Sequence, residues 1–234
     1  MKSESVIILI GTVHLDQEAS SSLHLLLQSI KPACIAVEIS AFSIRYRTRV
    51  QGAWLDRLAQ VVQGLPVSKR RHLKIQLLER QLSMPFEWST AKKYGEIGAI
   101  PVVPVDSGTI SRRELPLWYV ELLSEENLGF LVSDEDEPME SYFLGHYSKA
   151  ERLLVHPERI SEAYCQLVFD EKWCKREELL VRRITNLSRL FTPLVYIGGW
   201  MHLINTPSKV TLASRLGPDK VERYLVTKRQ AVKI

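Results

Sequence analysis

Residues 7–14 read IILIGTVH and residues 34–40 read CIAVEIS. Each is a short apolar run, rich in Val and Ile, that stops at one ionisable side chain: His14 in the first, Glu38 in the second. Runs this apolar, without alternation, suit strands buried on both faces of a parallel sheet. Between them, QEASSSLHLLLQSI sets Leu23, Leu26, Leu27 and Ile30 at helical spacing, and Pro32 stops the helix. Strand, helix and strand in this order form a βαβ unit, so the two strands run parallel and are expected as neighbours.

The rest of the chain extends that frame. From about residue 43 to 98 the pattern is helical, with Leu55, Leu58, Val61 and Val62 on one face and Leu73, Leu77, Leu78 and Leu82 on another. Gly64-Leu65-Pro66 separates the two, and Pro85 precedes a helix from about Glu87 to Gly98. IPVVPVD, residues 100–106, reads as a third strand, whose Pro101 and Pro104 lack ladder donors and so argue for a strand start and an edge or irregular position. Residues 115–123 and 138–192 read as helices around the acidic stretch SDEDEPME, an expected exposed loop. LVYIGG, residues 194–199, is a fourth strand running into WMHLI, followed by a helix near 207–215 and a strand near 222–227. The expectation is an α/β fold, a mostly parallel central sheet in a single domain over 1–234, with a helical insertion at about 110–192 that roofs a cleft.

Composition narrows the function classes. The chain of 234 residues is 45% apolar and 25% charged, with 31 Lys and Arg against 27 Asp and Glu, ordinary for a globular protein. That small basic excess is dispersed, so nucleic-acid binding is not expected. The clusters Arg45/Arg47/Arg49, Lys69/Arg70/Arg71 and Arg182/Arg183 read as solvated helix faces or turns. Cys34, Cys165 and Cys174 form no CxxC pair, and Cys34 sits within an apolar strand, which suits reduced thiols in the cytoplasm. The first residues, MKSESVIILIGTVHLD, read as a core strand rather than a signal peptide, and no run is long enough to span a bilayer. A soluble protein with no membrane partner follows, with a homodimer left open.

Ionisable residues fall at the strand ends: His14, Glu38, Asp106 and, just beyond the fourth strand, His202. In an open parallel sheet the carboxyl ends share one edge, where such folds build their sites. Each residue alone has a plain structural reading: a hydrogen-bonded His, or an Asp that caps the turn DSGT. Glu38 is the hardest to read so, because an ionised carboxylate ending an apolar run is costly to bury unpaired. Gly11 and Gly199 each precede a histidine by three residues, so G-x-x-H occurs at two strand ends. Glycine there permits a sharp turn or close backbone approach. His24, His72 and His156 carry no such signal.

LIGTVHLDQEASSSLHLLLQSIKPACIAVEIS resembles the N-terminal signature of the TraB/PrgY/TIKI family, G-T-x-H, a helix, then K-P-x-x-x-x-V-E. IPVVPVDSGTISRREL resembles the family's next block, with the pair Arg112 and Arg113; KREELLVRRI resembles its R-[DE]-x-x-M helix, with Leu180 in place of Met; LVYIGGWMHLI resembles its closing G-x-x-H strand. The closing motif departs from the common G-A-G-H by carrying Trp200 and Met201 before His202, and the membrane-spanning part of some relatives is absent. The resemblance implies an erythromycin-esterase/ChaN-like fold.

Two imidazoles and a carboxylate match the ligand set of hydrolytic divalent-metal sites. The TIKI branch implies a metalloprotease, which maps the ligands onto His14, Glu38 and His202, with Zn, Mn, Fe or Co equally acceptable. Asp106 or Glu87 would then be a fourth ligand or general base, and Arg112 or Arg113 an oxyanion stabiliser. Arg45 and Tyr46 are weaker candidates to line the cleft. The erythromycin-esterase branch implies another route, His14 as a metal-free general base held by Glu38. ChaN-like relatives bind haem, for which Tyr142, His146 or Tyr147 would be the axial ligand. The expected activity is hydrolysis of an ester or peptide bond in a small-molecule or peptide substrate, with sequestration of a ligand as the alternative.

Overall fold

A computed structural model of the chain describes residues 6–234. Its six strands are β1 (Ile7–Thr12), β2 (Cys34–Val37), β3 (Val102–Pro104), β4 (Leu194–Gly199), β5 (Val221–Val226) and β6 (Ala231–Lys233). The helices are α1 (Ser20–Ile30), α2 (Ala41–Gly64), α3 (Leu73–Leu82), α4 (Phe86–Gly98), α5 (Gly108–Glu114) and α6 (Trp118–Glu121). They continue with α7 (Glu125–Leu131), α8 (Met139–Val155), α9 (Glu162–Val168), α10 (Glu171–Ser188) and α11 (Leu212–Leu216). The last helix is shorter than expected, and β6 has no strong signal in the sequence. No described helix is long and apolar enough to cross a membrane.

Where one domain is expected, the chain forms two compact units. One holds the sheet and comprises residues up to Ile39, Phe86–Asp106 and Gly145–Ile234; the other comprises Ser40–Pro85 and Ser107–Leu144. The expected insertion at 110–192 is therefore divided: residues from Gly145 onward belong with the sheet, and α2 and α3 join the helices that follow β3.

The sheet order is β3-β2-β4-β1-β5-β6, and every pairing is parallel except β5 with β6. β1, β2 and β4 are buried throughout, which is why their sequences carry no polar alternation. β1 and β2 are not the neighbours expected: β4 lies between them, Leu194 pairing with both Ile7 and Cys34. β3 does lie at the edge, as Pro101 and Pro104 indicate. The carboxyl ends of β1, β4, β2 and β3 thus stand side by side, and His14, His202, Glu38 and Asp106 follow these four neighbouring strands. Adjacent parallel strands are about 4.8 Å apart, so this order alone brings the four residues within side-chain reach.

In the helical unit, Trp54, Leu58, Val61, Ile75, Leu78, Leu82, Leu115, Leu123, Leu128 and Val132 form the core. Arg47, expected on a solvated face, is buried there. Its Nη1 donates to the carbonyls of Gln81, Leu82 and Ser83 at 2.7, 3.1 and 2.9 Å, capping the end of α3, and its guanidinium faces the Trp118 ring at 5.0 Å. Burial brings its pKa down to about 10. Arg183, also expected in solvent, donates through Nη1 to the carbonyls of Val105 and Asp106, both at 2.8 Å, tying α10 to the end of β3.

Candidate active site

β1 delivers His14 through a tight turn in which Leu15 has φ 69°, the left-handed region that few non-glycine residues adopt. The imidazole side chain is 54% exposed and is held at one nitrogen: Nδ1 lies 2.8 Å from Oε1 of Glu87. Glu87, in the first turn of α4, is 3% exposed and also accepts the Thr12 hydroxyl at 2.8 Å. A carboxylate accepts only, so in the neutral ring Nδ1 carries the proton and Nε2 the lone pair, 3.8 Å from Oε2 of Glu38. Desolvation works against the charged ring, but the hydrogen bond to Glu87 and the charges of Glu87 and Glu38 outweigh it, so His14 titrates above the ordinary histidine range.

Glu38, at the end of β2, is the hub. Its Oε1 accepts Nη2 of Arg176 at 2.6 Å and Nε2 of His202 at 2.9 Å. Its Oε2 accepts the Gly199 amide at 2.7 Å and the Tyr196 hydroxyl at 3.3 Å, with Nε2 of His14 3.8 Å away. Burial alone would raise its pKa, yet the His202 and Arg176 charges hold it well below the usual carboxylate range. The second G-x-x-H motif needs its glycines for this approach. A Cβ on Gly198 would come within 2.3 Å of the Tyr196 hydroxyl, and one on Gly199 within 2.8 Å of Nε2 of His14.

His202 lies in a one-turn 3-10 helix after β4 and is 1% exposed. Its Nδ1 meets Oε1 of Glu177 at 2.5 Å while Nε2 meets Glu38, and Trp173 stacks on the ring at 4.7 Å between centroids. A ring between two carboxylates donates from both nitrogens, which requires the imidazolium. Desolvation opposes that charge, but Glu38 and Glu177 push the pKa up to about 10. Asp106 completes the row: Nε of Arg176 donates to its Oδ1 at 2.8 Å and Nη2 to its Oδ2 at 2.7 Å, a bidentate pair.

All four strand-end residues are therefore brought together, joined by Arg176 and Glu177 of α10. In the sequence these two stand out only as the R-[DE] of KREELLVRRI, in the resemblance to a family helix, with no site role of their own. One signal exists: Glu177 falls at i−3 and i−7 from Leu180 and Ile184, inside the stripe that α10 buries. Arg112 belongs to the helical unit, where its guanidinium stands 5.8 Å from the Phe42 ring, and Arg113 pairs with Glu114 at 3.0 Å. Arg45 is exposed and Tyr46 stacks on Phe42, also in that unit. The guanidinium that stands at this row is that of Arg176, not of Arg112 or Arg113.

The donors suit a metal poorly. Both ring nitrogens of His202 face carboxylates, and Glu38 already accepts four protein donors, so neither has a lone pair to spare without displacing a cation. Among the described residues no group of three or more His, Cys, Asp or Glu side chains is placed to hold a metal ion. Of the residues named for haem, Tyr147 commits its hydroxyl to Asp16 at 2.6 Å. A scan against protein-family models and searches of curated proteins and of solved structures return no match for the chain.

Proposed function

We propose that the chain is a metal-independent hydrolase of an ester or amide carbonyl, with His14 as general base. The observation that carries this reading is a half-exposed imidazole held by a buried carboxylate at Nδ1, with Nε2 free of a hydrogen bond to that carboxylate and 3.8 Å from Glu38. A base oriented through its other nitrogen by a carboxylate is the arrangement general-base catalysis uses. Nε2 takes a proton from water as the oxygen bonds to the carbonyl carbon. The carbonyl π electrons move onto oxygen, and the new imidazolium proton faces Glu38, which stabilises it. Collapse of the tetrahedral species breaks the bond to the leaving group, which takes the proton from His14.

Arg176 supports the charge that develops on the carbonyl oxygen. Its side chain is 26% exposed, and Nε and Nη2 carry its bonds to Asp106 and Glu38, so Nη1 lies outside that fork. His202 stays charged and acts on Glu38 instead of on the substrate. The likeness to the TraB/PrgY/TIKI signature, and through it to the erythromycin-esterase/ChaN-like fold and its metal-free branch, supports the same reading. A small molecule or a peptide is the proposed substrate.

The test is hydrolysis of p-nitrophenyl esters by chelator-treated protein. Wild type is expected to turn over and His14→Ala to lose about 10²-fold or more. Activity that disappears with the chelator and returns with Zn or Mn, or a His14→Ala variant as active as wild type, overturns the proposal.

A further inference from the structure

The turn that carries His14 holds a backbone state that needs support. His14 is half exposed, its ring is anchored at Nδ1, and the next residue, Leu15, sits at φ 69°, which L side chains adopt only at a cost. Such a state persists where surrounding contacts enforce it. Asp16 carries several such contacts. Its backbone amide donates to the Val13 carbonyl at 3.3 Å, and its Oδ1 accepts the Glu18 amide at 3.3 Å. Its Oδ2 accepts the hydroxyl of Tyr147, from α8, at 2.6 Å, and both residues are buried, at 3% and 8% exposure.

Among the described residues, that bond ties Asp16 to a distant part of the chain, 131 residues away. The amide contacts with Val13 and Glu18 lie within the turn itself. A short O–H to carboxylate bond away from water is among the stronger hydrogen bonds available. We infer that Tyr147 is a positioning residue, whose hydroxyl acts through Asp16 to hold the left-handed turn that sets the His14 ring between Glu87 and Glu38. The inference rests on the general-base reading of His14. Burial, the Asp16 carboxylate and, more weakly, Glu87 and Glu18 raise the Tyr147 pKa, so the hydroxyl keeps its proton and remains a donor.

Tyr147→Phe retains the ring and deletes only the donor. Two readouts separate positioning from plain stability: kcat against KM for a p-nitrophenyl ester, and the long-range proton–nitrogen spectrum of the His14 ring, assigned by loss in His14→Ala. The expected result is kcat lowered about tenfold or more with KM nearly unchanged, since small misplacements of a reacting group cost rate rather than binding. The Nδ1–H signal bonded to Glu87 is expected to broaden or vanish. Asp16→Asn keeps an acceptor oxygen and is expected to retain most of the activity, while Asp16→Ala should match Tyr147→Phe. An unchanged His14 ring spectrum in Tyr147→Phe and Asp16→Ala overturns the inference. If wild type hydrolyses no ester, the general-base reading fails while the ring spectrum still decides the clasp. Should Tyr147→Phe fail to fold, the Asp16 pair decides.

Discussion

The imidazolium between Glu38 and Glu177 makes the stability of the protein depend on alkaline pH in a way that can be isolated. His202 titrates at about 10 in the folded chain against an ordinary 6.5. The difference, 10 minus 6.5, at 1.36 kcal/mol per pKa unit sets a ceiling on the order of 5 kcal/mol for this group. It is a ceiling because the depressed Glu38 pKa arises from the same contact, so the two contributions do not add. The folded pKa is raised, so this stabilisation is complete below about pH 6.5 and is lost as pH rises toward 10. Urea unfolding of wild type and His202→Asn between pH 6 and 10 reads it directly, because Lys and Tyr titrations common to both proteins cancel in the difference. The wild-type advantage should shrink by several kcal/mol across that window, which for a chain of this size is about 2–4 °C of Tm per kcal/mol. An advantage constant with pH would mean that His202 is neutral in the fold, and the account of the carboxylate pair around it would be wrong.

Two other outcomes concern the base and its surroundings. Hydrolysis should rise with pH, since His14 must be neutral to accept a proton, and the midpoint of kcat/KM should lie above the ordinary histidine value. Glu87→Gln keeps an acceptor oxygen but removes the charge that helps hold it there, so the midpoint should move down and the rate should fall. Gly199→Ala would place a methyl 2.8 Å from Nε2 of His14. Ester hydrolysis should drop about 10²-fold, as expected of a displaced reacting group, whereas the far-ultraviolet dichroism should stay that of wild type.

The frame was legible wherever burial on both faces wrote itself into the chain. IILIGT, CIAV and LVYIGG are apolar without alternation because their residues are buried on both faces of the sheet. Strand order was hidden, because nothing local in residues 7–37 tells that a strand more than 150 residues later, Leu194–Gly199, will lie between the first two. The residues at the ends of strands could be seen as a set, since the parallel sheet puts His14, Glu38, Asp106 and His202 on one edge whatever the order. Arg176 and Glu177 were marked only by the likeness of KREELLVRRI to a family helix, and their place in the row was hidden because a charged pair in a helix is compatible with solvent until the helix is packed. Arg47 illustrates the same limit: it lies in the run Arg45/Arg47/Arg49, but its spacing of seven from Trp54 and eleven from Leu58 sets it in their buried stripe.

The account depends most on the charge state of the two rings, and nitrogen chemical shifts of the histidine side chains at pH 8 measure it in one experiment. His202 should show two protonated nitrogens and His14 a neutral fraction with its proton on Nδ1, with no change on adding a chelator. A His202 ring with one bare nitrogen at that pH, or ring shifts that move when a chelator strips the sample, would contradict it.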